Sequence, residues 1–275
     1  MIKQHPSRIL KRIMEKNNQE LMTFGGHLEV LRRILFRILL VVCVLAIIIF
    51  SCKDTIWSFL LAPSESDFTT YRILEYIMKY IGIAFYFDDF QVELIATDLS
   101  SQFVTHITTS LYLALLGSSP YILYELFRFV SPALYESEKR HSIFIVSIIY
   151  LLFILGVLMN YYVIFPISFR FLGTYSVADR VHSTITIDSY IDTFTSLTLA
   201  MGLVFQLPIV VFLLSKMNFI SYDILAKYRK HALLVIMFVA AIITPPDLMT
   251  LVLVTMPLYL LYEISVRVAK HIEHK

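Results

Sequence analysis

Phe127-Arg128-Phe129-Val130-Ser131-Pro132-Ala133-Leu134-Tyr135-Glu136-Ser137-Glu138-Lys139-Arg140 is a charged and aromatic island between two long apolar runs. An apolar run long enough to cross a hydrocarbon core of about 30 Å needs roughly 20 residues as a helix. The flanking runs, Gln102 to Leu126 and His141 to Pro166, meet that length, so the island is a short ordered loop at a membrane surface. The rest of the chain agrees. Hydrophobic residues make up 58% and charged residues 16%, with a mean hydropathy of +0.74, too apolar for a soluble domain.

Outward from this hairpin, four more candidate spans are Leu31 to Cys52, Tyr190 to Ser215, His231 to Pro245 and Leu248 to Val266. Six spans predict an all-α polytopic membrane protein, because every backbone amide in lipid must bond within its own segment. The fifth and sixth are short: His231 to Pro245 reaches only about 22 Å as a helix, and the sixth is uncharged only to Tyr262. Prolines punctuate the pattern. Pro120 and Pro208 predict kinks in the second and fourth spans, and Thr244-Pro245-Pro246-Asp247 forbids a continuous helix between the last two.

Cations fix the orientation. With both termini inside, the cytoplasmic side holds eight from Lys3 to Arg37, three in segment 127–140, four in segment 216–230 and three at the C-terminus, 18 of the 23. The positive-inside rule then supports cytoplasmic termini. The whole of 1–275 reads as one transmembrane unit. Its parts are a cytoplasmic N-terminal segment 1–30, outer loops 53–100 and 167–189, and cytoplasmic loops 127–140 and 216–230. Phe24, Leu28 and Leu31 suggest a surface helix, with Gly25-Gly26 breaking it from what precedes. The first outer loop carries an amphipathic helix, Tyr71 to Ile81, with Ile73, Leu74, Ile77, Met78 and Ile81 on one face and Gly82 as its stop. It reads as an amphipathic cap lying on the outer membrane surface, and shielding the outer end of the bundle and receiving a partner are both open for it. The region before the first span has no apolar core of a cleavable leader, which predicts an uncleaved anchor.

Hydrolase, P-loop and Cys-x-x-Cys motifs are missing from the sequence, the eight histidines are scattered, and Cys43 and Cys52 lie nine apart on one predicted helix. No enzyme, metal or cofactor is expected. What remains are polar groups in or near lipid: Glu125, Asn160, Gln206 and Glu263, with Asp247 at the outer turn. Gln206 lies near mid-membrane. Glu125 and Glu263 could line a path through a transporter or channel, or could pair with the nearby Arg128 and Arg267. On the basic face, Glu29 has Arg33 at i+4, and Glu138 follows a Ser137 cap at a helix start. Alternatively these carboxylates receive an arginine-rich ligand through charge-assisted bonds.

Six stretches in order carry a resemblance: His27-Leu28-Glu29-Val30-Leu31-Arg32, Ile95-Ala96-Thr97-Asp98, the segment 129–140, Phe205-Gln206-Leu207-Pro208, Thr244-Pro245-Pro246-Asp247 and Leu261-Tyr262-Glu263-Ile264. Together they resemble the TatC family, the multispanning receptor subunits of the twin-arginine protein translocase, nearly end to end. The resemblance implies a receptor in a bacterial-type cytoplasmic (inner) membrane that binds the Arg-Arg motif of signal peptides on folded cargo. It implies export driven by the proton motive force, with single-span TatA/TatB-type partners, surrounding lipid and an oligomeric complex, and no nucleic acid. By position, Glu138 matches the family's loop carboxylate. Phe129 and the Ser131-Pro132 turn match its binding platform, with Leu134, Tyr135 and Glu136 beside it and Glu29 and Arg32 on the N-terminal side. Asp247 and Glu263 match its outer-turn and sixth-span acids. Two departures stand out: Val30 occupies the usual carboxylate position, with Glu29 one place early, and Gln206 stands where many relatives carry glutamate.

Overall fold

A computed structural model describes residues 24–82, 92–130, 142–176, 178 and 184–273, and these are mostly helical. The helices in chain order are α1 (Phe24–Ser51), α2 (Lys53–Leu61), α3 (Thr69–Tyr80), α4 (Ser101–Gly117), α5 (Ser119–Val130), α6 (Ser142–Met159), α7 (Phe165–Thr174), α8 (Ile187–Val204), α9 (Leu207–Lys216), α10 (Tyr222–Lys227), α11 (Arg229–Ile243) and α12 (Leu248–Glu273). Four rods are long and apolar enough to cross a membrane: Leu28–Ser51, Phe144–Thr174, Ile187–Lys216 and Leu248–Glu273. The α4–α5 pair is divided into pieces of 17 and 12 residues, and α11 has 15.

The proline-directed breaks fall where expected. The chain breaks at Ser118, and Pro120 sits in the first turn of α5, where a missing N–H is harmless. Phe205 and Gln206 separate α8 from α9, with Pro208 again in a first turn. The tandem prolines divide α11 from α12. Gly82 closes α3 at φ +83°, a conformation glycine adopts without steric cost.

The predicted surface helix and the first span form one rod of 28 residues from Phe24, and the segment from which Gly25-Gly26 was expected to separate it lies outside the described residues. Two expectations need correction. The third span does not end at Pro166. A π-helical turn, Asn160–Ile164, precedes the proline, and α7 carries the helix on to Thr174, inside the segment read as outer loop. In a regular helix Pro166 would leave the Tyr162 carbonyl without a donor and clash with it. The π turn widens the ladder there, and the Tyr162 carbonyl accepts from the Thr70 hydroxyl of α3 instead. Finally, the sixth span is not short as a helix, because α12 has 26 residues. Its apolar stretch is short, but side-chain partners at its C-terminal end let it continue past Glu263.

The core is thickest at the end where α2 and α3 pack. Tyr161, Phe165, Phe169, Tyr190 and Phe194 meet largely edge to face, with centroids 4.9 to 6.1 Å apart in the T-shaped pairs. Their hydroxyls are also used: Tyr190 donates to the Leu60 carbonyl at 2.7 Å and Tyr161 to that of Phe59 at 2.9 Å, seating α2 on the bundle. The two outer loops are joined by a parallel pair of two-residue strands, β1 (Leu94–Ile95) and β2 (Ile185–Thr186). At the middle of the bundle Gly156 approaches the α8 backbone so closely that a Cβ there would lie 2.5 Å from the Met201 carbonyl oxygen. At the other end Asn218, at φ 59°, terminates α9, and Ser221 caps α10.

Candidate functional site

Three helix ends define one face. The first turns of α1 expose Glu29, Arg32 and Arg33. Arg33 donates to Glu29 at 3.2 Å, one turn away, and both side chains are open to solvent. An exposed pair of this kind is worth about 0–1 kcal/mol, so an incoming guanidinium can displace Arg33 at little cost. The local pairing and the ligand-binding reading of Glu29 are therefore compatible. Because α1 is unbroken here, the one-place shift of the carboxylate rotates it by about 100°. Val30 is half-buried while Glu29 is exposed. The shift moves the acid from a packed side of the rod to an open one.

The second end is α5. Glu125 is 3% exposed and accepts from the Tyr121 hydroxyl at 3.0 Å. Its ion-pair partner is Arg37 of α1, at 3.7 Å, rather than the expected Arg128. A cation one turn along the same helix is near in sequence, but Arg37 is the one that reaches the buried carboxylate from a neighbouring rod. Phe127 is buried against Ile145 and Ile149 of α6, fixing the α5–α6 hairpin below its loop. Phe129 is half-buried in the last turn of α5. Pro132, Leu134, Tyr135, Glu136 and Glu138, with the rest of 131–141, lie outside the described residues.

The third end is that of α9 to α12. Glu263 pairs with Arg229 of α11 at 3.0 Å and accepts from Tyr259 at 3.3 Å, in place of the expected Arg267. The Tyr262 hydroxyl donates to the Leu225 carbonyl at 2.6 Å, and Glu273 accepts from the Tyr222 amide at 2.6 Å, so α10 is clasped to the end of α12.

The remaining two candidates sit elsewhere. Gln206 lies at the α8–α9 break, and its Nε2 donates to the Ile149 carbonyl of α6 at 3.1 Å and to Gly202 at 3.4 Å. Its Oε1 is buried with no partner among the described residues. Asp247 accepts from the Thr250 amide at 2.7 Å, the geometry of an N-cap on α12. Among the described residues no bond joins any two of Glu125, Gln206, Asp247 and Glu263; Glu125, Gln206 and Glu263 each tie a different pair of elements, and Asp247 caps its own helix. Sequence reasoning passed over Tyr121 and Arg229 as partners of the two buried-end acids. The tyrosines were in principle visible, since Tyr121 and Tyr259 each precede their acid by four residues, one helical turn.

Several long apolar rods, acids locked at their ends and a cation-rich face make this a multi-span helical membrane protein. Residues 26–257 match the family model described as Sec-independent protein translocase protein (TatC). The chain belongs to the TatC family. A Sec-independent protein translocase protein TatC from Blattabacterium sp. subsp. Periplaneta americana (strain BPLAN) is 32% identical over 264 residues, covering 94% of this chain and 99% of the relative. One of the same name from Aquifex aeolicus (strain VF5) is 35% identical over 218 residues, covering 73% of this chain and 90% of the relative. A crystal structure of a twin-arginine translocase receptor, TatC, superposes with a TM-score of 0.70 at 31% identity, covering 90% of this chain and 99% of that one. The chain is thus a component of a Sec-independent protein translocase in a membrane, and not an enzyme.

Proposed function

We propose that the chain is the receptor subunit that binds the Arg-Arg motif of signal peptides on folded proteins, at the face formed by the α1 start and the 127–140 loop. The observation that carries this reading is Glu29. It is a carboxylate on a cation-rich face, exposed and held only by a solvent-screened Arg33, free to exchange that partner for a ligand guanidinium. Glu138 supplies the second carboxylate, Phe129 and Pro132 the platform, and Leu134, Tyr135, Glu136 and Arg32 its surroundings. The Arg37–Glu125 pair supports the same reading, because it ties the rod bearing Glu29 to the helix that leads into the loop.

In this reading the chain crosses a bacterial cytoplasmic (inner) membrane six times with both termini inside. The α4–α5 and α11 rods add the two spans that are broken or short. TatA/TatB-type single-span subunits join it, several copies assemble, and the proton motive force drives export.

The test is crosslinking of a photoreactive Arg-Arg signal peptide to the inserted protein. Glu138→Ala abolishes the crosslink and Glu29→Ala weakens it, while Arg33→Ala leaves it intact. Retention of full crosslinking in Glu138→Ala would sink the carboxylate assignment. If Glu29→Ala has no effect, its role is the helix pair with Arg33 alone. A folded reporter whose export is lost when its Arg-Arg becomes Lys-Lys completes the functional side.

A further inference from the structure

Helix α3 has more apolar surface than the bundle uses. Its first turn is seated on the third rod: Thr70 donates to the Tyr162 carbonyl, Phe68 stacks on the Tyr162 ring at 5.9 Å and 15°, and Tyr71 donates to the Pro166 carbonyl at 2.8 Å. Thr70 and Tyr71 are buried, and Leu74 and Met78 are half-buried. A second apolar strip is left open. Ile73, Tyr76, Ile77 and Tyr80 are 53%, 73%, 44% and 86% exposed, and at 100° per residue they fall within an arc of about 100°. Arg72, Glu75 and Lys79 occupy a separate narrow arc about a third of a turn away.

The depth of this helix follows from two rulers. From Ser142, which follows Lys139-Arg140-His141 in sequence, to Tyr162 is 20 positions, about 30 Å of helical rise. From Phe194 to Lys216 is 22 positions, about 33 Å at the same rise. The Tyr161 and Phe194 rings touch, 6.1 Å apart, so both rulers end at one level. A hydrocarbon core is about 30 Å thick. Starting from the same charged face on two different rods, both place Tyr162, and with it the start of α3, at the hydrocarbon–headgroup boundary.

The roll of the helix agrees. Arg170, eight positions beyond Tyr162 and so about 12 Å further from the core, lies 5.2 Å over the Tyr71 ring. Tyr71 itself is buried and donates to the Pro166 carbonyl, so it marks the bundle side of α3. Six positions on, Ile77 points about 120° away from it at 100° per residue, and Ile73 and Tyr80 about 160° and 180°. The open strip faces away from the bundle and, at the level of the core boundary, meets the bilayer. The charged arc of Arg72, Glu75 and Lys79 lies to one side of it, and Arg72 is already held by a two-point pair with Asp67.

We propose that α3 is an interfacial helix, its Ile73-Tyr76-Ile77-Tyr80 strip immersed in the headgroup–acyl boundary of the leaflet at the Tyr162 end. Lipid is the occupant because the strip mixes isoleucine with tyrosine, whose rings suit that boundary, and because its level coincides with the edge of the core. One side of the helix thus shields the bundle and the other rests on the membrane. The proline-linked π turn is what fixes its depth, by offering the Tyr162 carbonyl at that level.

The test uses the full chain in phosphatidylcholine vesicles, with Cys43→Ala and Cys52→Ala removing both free thiols. Single cysteines at Ile77, Tyr80 and Glu75 carry an environment-sensitive fluorophore, quenched in turn by a shallow spin-labelled lipid and by aqueous iodide. The ratio of lipid to iodide quenching is expected to be at least about threefold higher at Ile77 and Tyr80 than at Glu75. Equal iodide quenching at all three overturns the proposal by putting the strip in water. Protection of Ile77 and Tyr80 from both quenchers overturns it by putting a protein partner there. Emission of Trp57, the only tryptophan, reports whether the outer end has folded, and cysteines at Ile73 and Tyr76 read the same strip if one label perturbs it.

Discussion

The Arg37–Glu125 pair offers the sharpest energetic test of how α1 and α5 are held together. Glu125 is 3% exposed, while the Arg37 side chain is about half exposed and 3.7 Å away. Two unit charges at that distance attract by about 4.5 kcal/mol at an effective dielectric of 20 and about 1 kcal/mol in bulk water. Half exposure puts the pair between these limits. Arg37→Leu also strands a buried carboxylate that keeps only its bond from Tyr121, so the expected cost is about 2 kcal/mol, below the 3–5 typical of a wholly buried pair. Glu125→Gln keeps an acceptor for Tyr121 and removes the charge, and should cost about 1 kcal/mol. Because Glu125→Gln removes the charge that Arg37→Leu strands, the double variant should be less destabilised than the sum of the singles by about 1 kcal/mol or more. The assay is equilibrium unfolding of the detergent-solubilised protein, with all four members of the cycle in one buffer. A coupling below about 0.3 kcal/mol would refute the pairing, because distant sites add to within that margin. Raising the salt concentration should shrink the coupling, since one partner is exposed to counterions.

Three further perturbations address the other polar and close-packed positions. Asp247→Ala removes the cap from α12 and should lower stability by about 1 kcal/mol, whereas Asp247→Asn retains most of it; an export defect in Asp247→Asn at unchanged stability would show that the charge has a use beyond capping. Gly156→Ala drives a methyl group to within 2.5 Å of the Met201 carbonyl, and unfolding should show a loss of about 1–3 kcal/mol, a neutral result meaning that α6 and α8 are less closely apposed. Gln206→Glu replaces a donor with a carboxyl that can bond the Ile149 carbonyl only when protonated. The variant therefore leaves the Ile149 carbonyl without its donor and is expected to be less stable by about 1–3 kcal/mol. Unfolding of the two proteins side by side reads this directly, and equal stability would mean that the side chain has turned away from Ile149.

Local punctuation was readable in the residues because its physics is local. Pro120, Pro208 and Pro245-Pro246 act through their own missing N–H groups, and Gly82 through its own φ, so the breaks at Ser118, Gln206 and Thr244 and the end of α3 were all foreseeable. Pro166 obeys the same rule and still misleads. The lost bond is absorbed by a π turn, and the orphaned carbonyl is supplied by Thr70, 92 residues away in sequence, a rescue that no local window contains. Ion pairing fails for a related reason. Arg128 and Arg267 lie one turn from Glu125 and Glu263, but which cation reaches an acid depends on how neighbouring rods are rotated, and the structure supplies Arg37 and Arg229 instead.

Apolar length and helix length also part company. The uncharged stretch of the last span ends at Tyr262, but its helix continues to Glu273 because Arg229, Leu225 and Tyr222 engage Glu263, Tyr262 and Glu273 in turn. In this fold a charge near a boundary therefore marks where a rod finds a partner rather than where it stops. The start of α1 is a related case. Glu29 stands one residue out of the family's usual register, the rod runs unbroken past it, and the shift carries the acid to open solvent beside Arg33. An arginine pair bound as proposed would meet Glu29 unburied, so its contribution to binding should be electrostatic and salt-sensitive.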